Sequence, residues 1–502
     1  MTKTIPQPVE SFLIGNLKEV DSDHFSESLQ RLQKLYGSIY RITIFQRSLI
    51  VISNQQLVNF VCDQSKFDKK VSGPLVEIRA IAGDGLFTAH TQEPNWKLAH
   101  QILMPAFGPQ AIRDMFPSMI DIASQLILRW QRFQGEIIDA CDSFTRLTLD
   151  TIALCSFNYR FNSFYEKQMH HFVDAMVDVL LESGRRARRL TLQNALMMAT
   201  TRKYNQNIQF IHDLCDEIVK ERRQNPNDVN DLLNRMIHGK DPETGYQLSD
   251  ENIRYQMVTF LIAGHETTSG LLSFATYFLL KNPQTLQKAQ AEVDQFDEIT
   301  IETLSQLKYI DAILKETLRL QPTAPLFSLQ PKEDRIILPG DYQITKDDTI
   351  LVYLPGLHRD PTVWDRPEQF LPERMLNGGF EKLPSNAWKP FGNGQRACIG
   401  RPFAWQESLL ALALVLKHFN IEFVDPSYDL RIKQTLTIKP EGLKIRVRSR
   451  QPVELSFNTI TSVKSTDKPN TLNAETTKTI QPLSVFYGSN SGSCESFARN
   501  IA

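Results

Sequence analysis

The chain is short of cysteine, of any charge imbalance and of long apolar runs, and each shortage removes a class of protein. Six cysteines in 502 residues, at 62, 141, 155, 215, 398 and 494, are too few and too scattered for a secreted disulfide framework. No Cys-x-x-Cys or His-x-x-x-His spacing suggests a zinc site. Reduced thiols in a cytoplasmic setting are the simple reading. The 56 basic and 57 acidic residues leave a net charge of −1, without the basic excess of a dedicated nucleic-acid binder. The longest apolar run, Leu409 to Leu416, is far below the roughly 18 residues that cross a bilayer. The opening Met1-Thr-Lys-Thr-Ile-Pro-Gln-Pro has no apolar core for a signal peptide or anchor, so no membrane partner is expected. Glycine (22) and proline (26) are too few for a collagen-like or wholly disordered chain. The length allows about three domains, or one large enzyme domain.

What is there reads as mainly α with minor β sheets. Helical spacing at Leu29, Leu32 and Leu35 gives way to alternation at Tyr40, Ile42 and Ile44. A turn around Gln46 and Arg47 then leads into a second strand, Leu49 to Ile52, making a hairpin. Helical patterns dominate from about 54 to 320, a strand-rich stretch covers Arg335 to Leu354, and an amphipathic helix is expected from Pro402 to His418. From Thr459 to Pro482, nine of 24 residues are Ser or Thr and none is aromatic, which predicts a linker. Leu483 to Tyr487 then reads as a short strand, followed by Gly488-Ser-Asn-Ser-Gly492-Ser and a helix start, an arrangement that suits an anion. Twenty residues cannot make a domain, so this segment is expected to be the start of one whose remainder is absent.

Three segments carry chemistry. The first is Phe391-Gly-Asn-Gly394-Gln-Arg396-Ala-Cys398-Ile-Gly400, a tight glycine loop that sets Cys398 just ahead of a helix, where dipole and free N–H groups favour a thiolate. A lone cysteine is ordinarily inert core. The second is Ala263-Gly264-His265-Glu266-Thr267-Thr268-Ser269, in the middle of a helix expected from Ser249 to Lys281. A mid-helix Gly costs about 1 kcal/mol relative to Ala, and rules broken without visible gain mark a functional site or a kink. The third is Glu316-Thr-Leu-Arg319 with Pro372-Glu-Arg374, which taken alone is a surface ion pair.

Together these segments resemble the cytochrome P-450 family, and the match is closest to the haem domain of self-sufficient bacterial flavocytochromes that hydroxylate fatty acids. Phe-x-x-Gly-x-Arg-x-Cys-x-Gly resembles the haem loop, Ala-Gly-x-Glu-Thr-Thr the oxygen-activating helix, and Glu-x-x-Arg with Pro-Glu-Arg a structural lock behind the haem. The resemblance extends from about residue 5 to 450 through blocks such as Phe67-Asp-Lys69, Gly83-Asp-Gly-Leu-Phe87-Thr and Asp250-Glu-Asn-Ile-Arg-Tyr-Gln. It implies a P-450 fold, with a long central helix across the haem and a small β-rich subdomain. Residues 1–450 are then the haem domain, 451–482 the linker and 483–502 the start of a flavodoxin-like FMN domain.

The site residues follow from the same resemblance. Cys398 is the axial ligand of haem b iron, with Phe391 against the sulfur, Gly400 leaving clearance, and Arg396, Trp96, Lys69 and His100 around the propionates. His100 stands where the family usually has Arg. Thr267 hydrogen-bonds dioxygen and, with Glu266 and water, delivers protons, while His265 is structural. Phe87 stands over the haem, with Leu75, Val177, Leu181 and Ala263 lining an apolar channel on one side. Ala324, Leu326 and Leu436 continue it; each could equally be core. Arg47 binds a fatty-acid carboxylate at the mouth, and Val51, where relatives have Tyr, makes that anchoring weaker. The arginines at 185, 186, 188 and 189 are a solvated face or an attractor of anions. The implied activity is subterminal hydroxylation of medium- to long-chain fatty acids with dioxygen and electrons from a fused NADPH, FAD and FMN reductase. A peroxide-driven hydroxylase and a non-catalytic thiolate-haem gas binder are the alternatives.

Overall fold

A computed structural model describes residues 2–450 apart from 13, 22, 23, 45, 46 and 190. The linker at 451–482 and the FMN-domain start at 483–502 lie outside the described residues. Those described are mainly helical, with a five-stranded sheet, a three-stranded sheet and two two-stranded pairings.

The hairpin Ile39–Ile44 and Arg47–Ile52 forms as expected, except that Arg47 is the first residue of its strand, paired with Ile44, rather than a turn residue. The hairpin is part of something larger. Arg47–Ile52 pairs in parallel with Thr349–Tyr353, which pairs with Leu326–Pro331 and then Phe67–Lys69. Both faces of this sheet are covered. Ile50, Ile52 and Val352 enter one apolar cluster, while Tyr40, Val51, Leu351 and Tyr353 enter another. That is why the central segments Leu49–Ile52 and Ile350–Tyr353 are apolar without a break, and it explains Val51, which is fully buried opposite Tyr40.

The long helix runs Asp250–Lys281, with the Ser249 side chain capping the Asn252 N–H at 3.2 Å. It is buried over most of its length and packs on helices Ala140–Phe157, Lys308–Leu320 and Arg401–His418. Gly264 has a packing reason. A Cβ there would stand 2.7 Å from the Ile152 side chain, so the helix from 140 to 157 can approach only because position 264 has none. Helix Arg401–His418 is not amphipathic as expected. Every residue from Ser408 to Leu416 is buried, so the apolar run marks a helix enclosed on all sides. Among the described residues no helix is long and apolar enough to cross a membrane.

The Glu316–Arg319 pair is no surface contact. Both side chains are fully buried, with Arg319 Nε and Nη2 donating to Glu316 at 2.7 and 2.8 Å. Arg374 Nε and the Leu371 N–H also donate to Glu316 Oε1, at 3.1 and 2.9 Å. Arg319 further donates to the carbonyls of His358, Pro367 and Gln369. The network ties helix Lys308–Leu320 to the loop that leads toward Cys398.

Candidate active site

The cysteine loop folds through its backbone. The Cys398 N–H donates to Phe391 O at 2.8 Å and the Ala397 N–H to Gly394 O at 2.9 Å. Gly394 takes φ +55°, the left-handed region that its type allows at little cost. Helix Arg401–His418 begins just beyond. Burial pushes the Cys398 thiol up, and the N–H groups of Gly400 and Arg401 with the Arg401 charge oppose it. Yet the side chain is exposed. A group both enclosed by protein and accessible faces an internal hollow. A Cβ on Gly400 would stand 4.0 Å from the Cys398 sulfur and 3.9 Å from the Phe107 ring. Phe391 packs its half-buried ring near Trp388 and Trp405, with the Arg401 guanidinium 5.3 Å away.

The long helix contributes a second accessible surface deep in the fold. Ala263 is exposed and Thr267, one turn on, is half-buried, in a stretch whose other faces are covered. The Thr267 hydroxyl donates to Ala263 O at 2.9 Å. Phe107 links the two surfaces, lying next to position 400 and 5.8 Å from the Phe260 ring of the long helix. The segment 86–91 links them again. The Leu86 N–H donates to Gln256 of the long helix at 2.9 Å, while Arg396 donates to Leu86 O at 3.1 Å and Ala89 O at 2.8 Å.

Beside the cysteine loop the cations outnumber their partners. The Arg396 guanidinium lies 4.6 Å from the Trp96 ring, which is 5.2 Å from the His100 ring. Lys69 Nζ donates to Phe87 O and sits 4.9 Å from the Phe87 ring. Burial, reinforced by Arg396, pushes Lys69 down to about 7, against the pull of Asp68. Burial also brings Arg396 down to about 10, opposed by Asp68 and Glu93, and lowers His100, again with help from Arg396. Asp68 is already engaged by Thr91 and Gln92. Such a set is complementary to a ligand that brings its own carboxylates. A haem fits it: a thiol facing a hollow, a residue without a side chain next to the sulfur, and cations to meet two propionates.

Glu266 points elsewhere. Its carboxylate accepts from Thr437 Oγ1 at 2.9 Å and Lys439 Nζ at 2.8 Å, and lies 3.4 Å from His265 Nε2. Burial lifts its carboxyl, but Lys439 and His265 outweigh that and hold it well below the usual range. It is therefore not gathered with Thr267 in this conformation; the neighbours sit about a quarter turn apart on the helix.

The apolar candidates are left incompletely covered: Leu75, Phe87, Val177, Leu181, Ala324, Leu326 and Leu436 are all half-buried. Helix Pro74–Ala82, carrying Leu75, packs on the long helix and on His171–Arg186, which carries Val177 and Leu181. The Ile438 N–H donates to Thr323 O at 2.9 Å, bringing Leu436's hairpin beside Ala324. Arg47 is exposed at the edge of its strand. Arg186 and Arg189 both pair with Glu182, and the Arg188 guanidinium lies 5.4 Å from the Phe25 ring, so part of that basic run is structurally engaged. Lys97, beside Trp96, turns outward to Glu243. Sequence reasoning missed Phe107, the carbonyls of 86 and 89, and Lys439 with Thr437. The last two reach Glu266 across 173 and 171 residues, a contact with no local signal.

Comparison with known proteins agrees with this geometry. The family description cytochrome P-450 matches residues 5–447. A self-sufficient cytochrome P-450 monooxygenase of Phanerodontia chrysosporium is 49% identical over 100% of this chain and 48% of its own length. Bifunctional cytochrome P-450/NADPH–P-450 reductases of Aspergillus oryzae and Bacillus subtilis are 48% and 47% identical, over 99% and 100% of this chain and 47% and 48% of their own lengths. The chain thus spans about half the length of these relatives, which are fungal as well as bacterial.

Proposed function

The chain belongs to the cytochrome P-450 family, and on that premise we propose that it is the haem-thiolate part of a monooxygenase acting on medium- to long-chain fatty acids at subterminal carbons. Electrons come from an NADPH-dependent reductase fused in the full-length protein, as the names of the relatives suggest, with FAD and FMN as its carriers. On this reading residues 1–450 are the haem domain, 451–482 a linker and 483–502 the opening of the FMN domain, in a cytoplasmic protein.

The observation that carries the reading is the enclosed but accessible Cys398 next to the bases Lys69, Arg396 and His100, which outnumber the acids around them. Bound haem supplies the oxygen-activating chemistry, through the thiolate of Cys398. The chain supplies the rest. Arg396, Lys69 and His100 offer donors to the propionates, and Trp96 stacks under Arg396. Gly400 adds no side chain beside the sulfur, and Phe391, whose carbonyl accepts the Cys398 N–H, braces the loop that carries it. Thr267 can rotate its hydroxyl off Ala263 O and donate toward dioxygen. Glu266, next to Thr267 in the chain, is the carboxylate through which protons pass toward that face. Phe87, Leu75, Val177, Leu181, Ala263, Ala324, Leu326 and Leu436 give an alkyl chain apolar walls that exclude water, and Arg47 meets its carboxylate from solvent.

The test is turnover with a flavin reductase, NADPH and a long-chain acid. Hydroxylation one or more carbons short of the terminus is expected. Terminal hydroxylation alone, or NADPH consumption that no fatty acid stimulates, would contradict the substrate assignment.

A further inference from the structure

Segment 83–89, which carries Phe87, is held to the rest of the chain largely through its backbone. It lies against the first half of the long helix because two of its residues have no side chain. A Cβ on Gly85 would strike Thr259 Oγ1 and come within 2.9 Å of Tyr255 O, and one on Gly83, at φ +45°, would strike the Tyr255 ring. The carbonyls of 86 to 89 each accept from a cationic side chain. Arg396 serves Leu86 and Ala89, Lys69 serves Phe87, and Arg79 serves Thr88 at 2.8 Å. The N–H of Leu86, next to Phe87, donates to Gln256 Oε1 at 2.9 Å.

That last contact is the end of a buried ladder. Asp84 accepts from Asn95 Nδ2 and from Asn252 Nδ2, both at 2.7 Å, and Asn252 Oδ1 accepts from Gln256 Nε2 at 2.9 Å. Gln256 and Asn252 have almost no exposed surface. A carboxylate only accepts, so Asp84 fixes which way the Asn252 amide faces, and Asn252 in turn fixes Gln256. The ladder therefore leaves the segment at Asp84, crosses two side chains of the long helix, and returns an oxygen to the segment at Leu86. The Phe87 ring is itself half-buried, so packing alone does not fix it.

We propose that Asp84, Asn252 and Gln256 are positioning residues that hold Phe87 at the hollow, and that through Phe87 they decide which carbons of a bound alkyl chain are oxidised. The first part stands on the fold, and the second rests on the fatty-acid monooxygenase reading.

Two measurements test it on the haem-loaded 502-residue chain. Titration of the Soret band compares 4-phenylimidazole, whose second ring must share space with Phe87, with the smaller imidazole. Gln256→Met is expected to change the ratio of their dissociation constants by about threefold or more, the scale of one buried hydrogen bond. In a Phe87→Ala background the same substitution should leave that ratio unchanged, which marks action through Phe87 and which a general loosening of the fold would not produce. Asp84→Asn, which turns one accepting oxygen into a donor, gives a smaller change of the same sign and carries the test if Gln256→Met does not fold. A ratio unmoved in the folded variants, or moved equally without Phe87, overturns the positioning role. With reductase and NADPH supplied, the same variants are expected to shift the ratio of the two leading hydroxylated isomers of a long-chain acid by a similar factor. An unchanged isomer ratio beside a changed ligand ratio overturns the second part. Absence of hydroxylated acid from the parent overturns the fatty-acid reading and the second part with it, while the ligand ratio still decides the first.

Discussion

Two groups of buried ions in this chain are built on opposite lines. Glu316, Arg319 and Arg374 interlock, and the carboxylate also takes a backbone N–H while Arg319 spends its other donors on three carbonyls. Around Lys69, Arg396 and His100 the half-buried bases outnumber the nearby acids Asp68 and Glu93, and burial lowers the pKa of all three. A buried network that closes on itself has nothing left to offer a ligand, and its work is to fix one arrangement of helix and loop. A buried set left open in one sign asks for a partner of the other, and that is a binding site. The Glu266 cluster stands between the two: closed in the conformation seen here, but one side chain away from an accessible helix face.

The largest effect should come from opening the closed network. Glu316→Ala strands two guanidinium groups in the core, and a loss of about 3–5 kcal/mol is expected by chemical denaturation, enough to threaten folding. A loss below about 1 kcal/mol would mean that the network is not the lock its geometry suggests. Arg396→Leu should behave differently. The chain loses donors to Leu86 and Ala89, so its stability falls by about 1–2 kcal/mol, while haem is retained at least tenfold less well in transfer to a competing haem acceptor. Equal damage to stability and retention would erase the distinction between lock and site.

The pH dependence of the open set sharpens the comparison. Lys69 is charged in the unfolded chain up to about 10.5 and in the haem-free fold to about 7. Between those values the unfolded state binds the extra proton, so stability of the haem-free chain should rise as pH rises through this window. Lys69→Met should flatten that part of the profile, and an unchanged slope would show that Lys69 is not the group responsible. Loading with haem should shrink the same slope, because propionates favour the charged lysine.

The smallest effect belongs to Arg47. It is exposed, so an ion pair there contributes at most about 1 kcal/mol, and Arg47→Ala should raise KM for a long-chain acid no more than about fivefold. The neutral alcohol of the same chain should bind comparably to the acid in the parent. A strong preference for the acid, lost in Arg47→Ala, would show that an exposed cation can anchor without the usual tyrosine. Val51 cannot take that role, since it is buried in the sheet opposite Tyr40.

What the sequence made legible follows the same division. The cysteine loop, the odd middle of the long helix and the Glu-x-x-Arg pair were readable because each keeps its chemistry within ten residues. The helix from 250 to 281 could be bounded from its Ser249 cap and its terminal Asn282-Pro283. The five-stranded sheet was half visible: local alternation marks the hairpin, but not its parallel union with a strand 300 residues later. Helix Arg401–His418 looked amphipathic because its flanks are polar, whereas the burial of its middle depends on what surrounds it. The contacts on Glu266 had no signal at all, since Thr437 and Lys439 look like ordinary hairpin residues until the fold sets them beside the long helix. Contacts that join distant segments are what periodicity cannot carry.

The central claim is that Cys398 faces its hollow in order to hold haem iron as a thiolate. Its most direct test is the absorption spectrum of the ferrous carbonyl complex of the haem-loaded chain, recorded for the parent and for Cys398→Ser. The parent should show the red-shifted Soret band of a thiolate-ligated haem, and the variant should lose it. A parent spectrum without that band, or a variant that keeps it, would contradict the assignment.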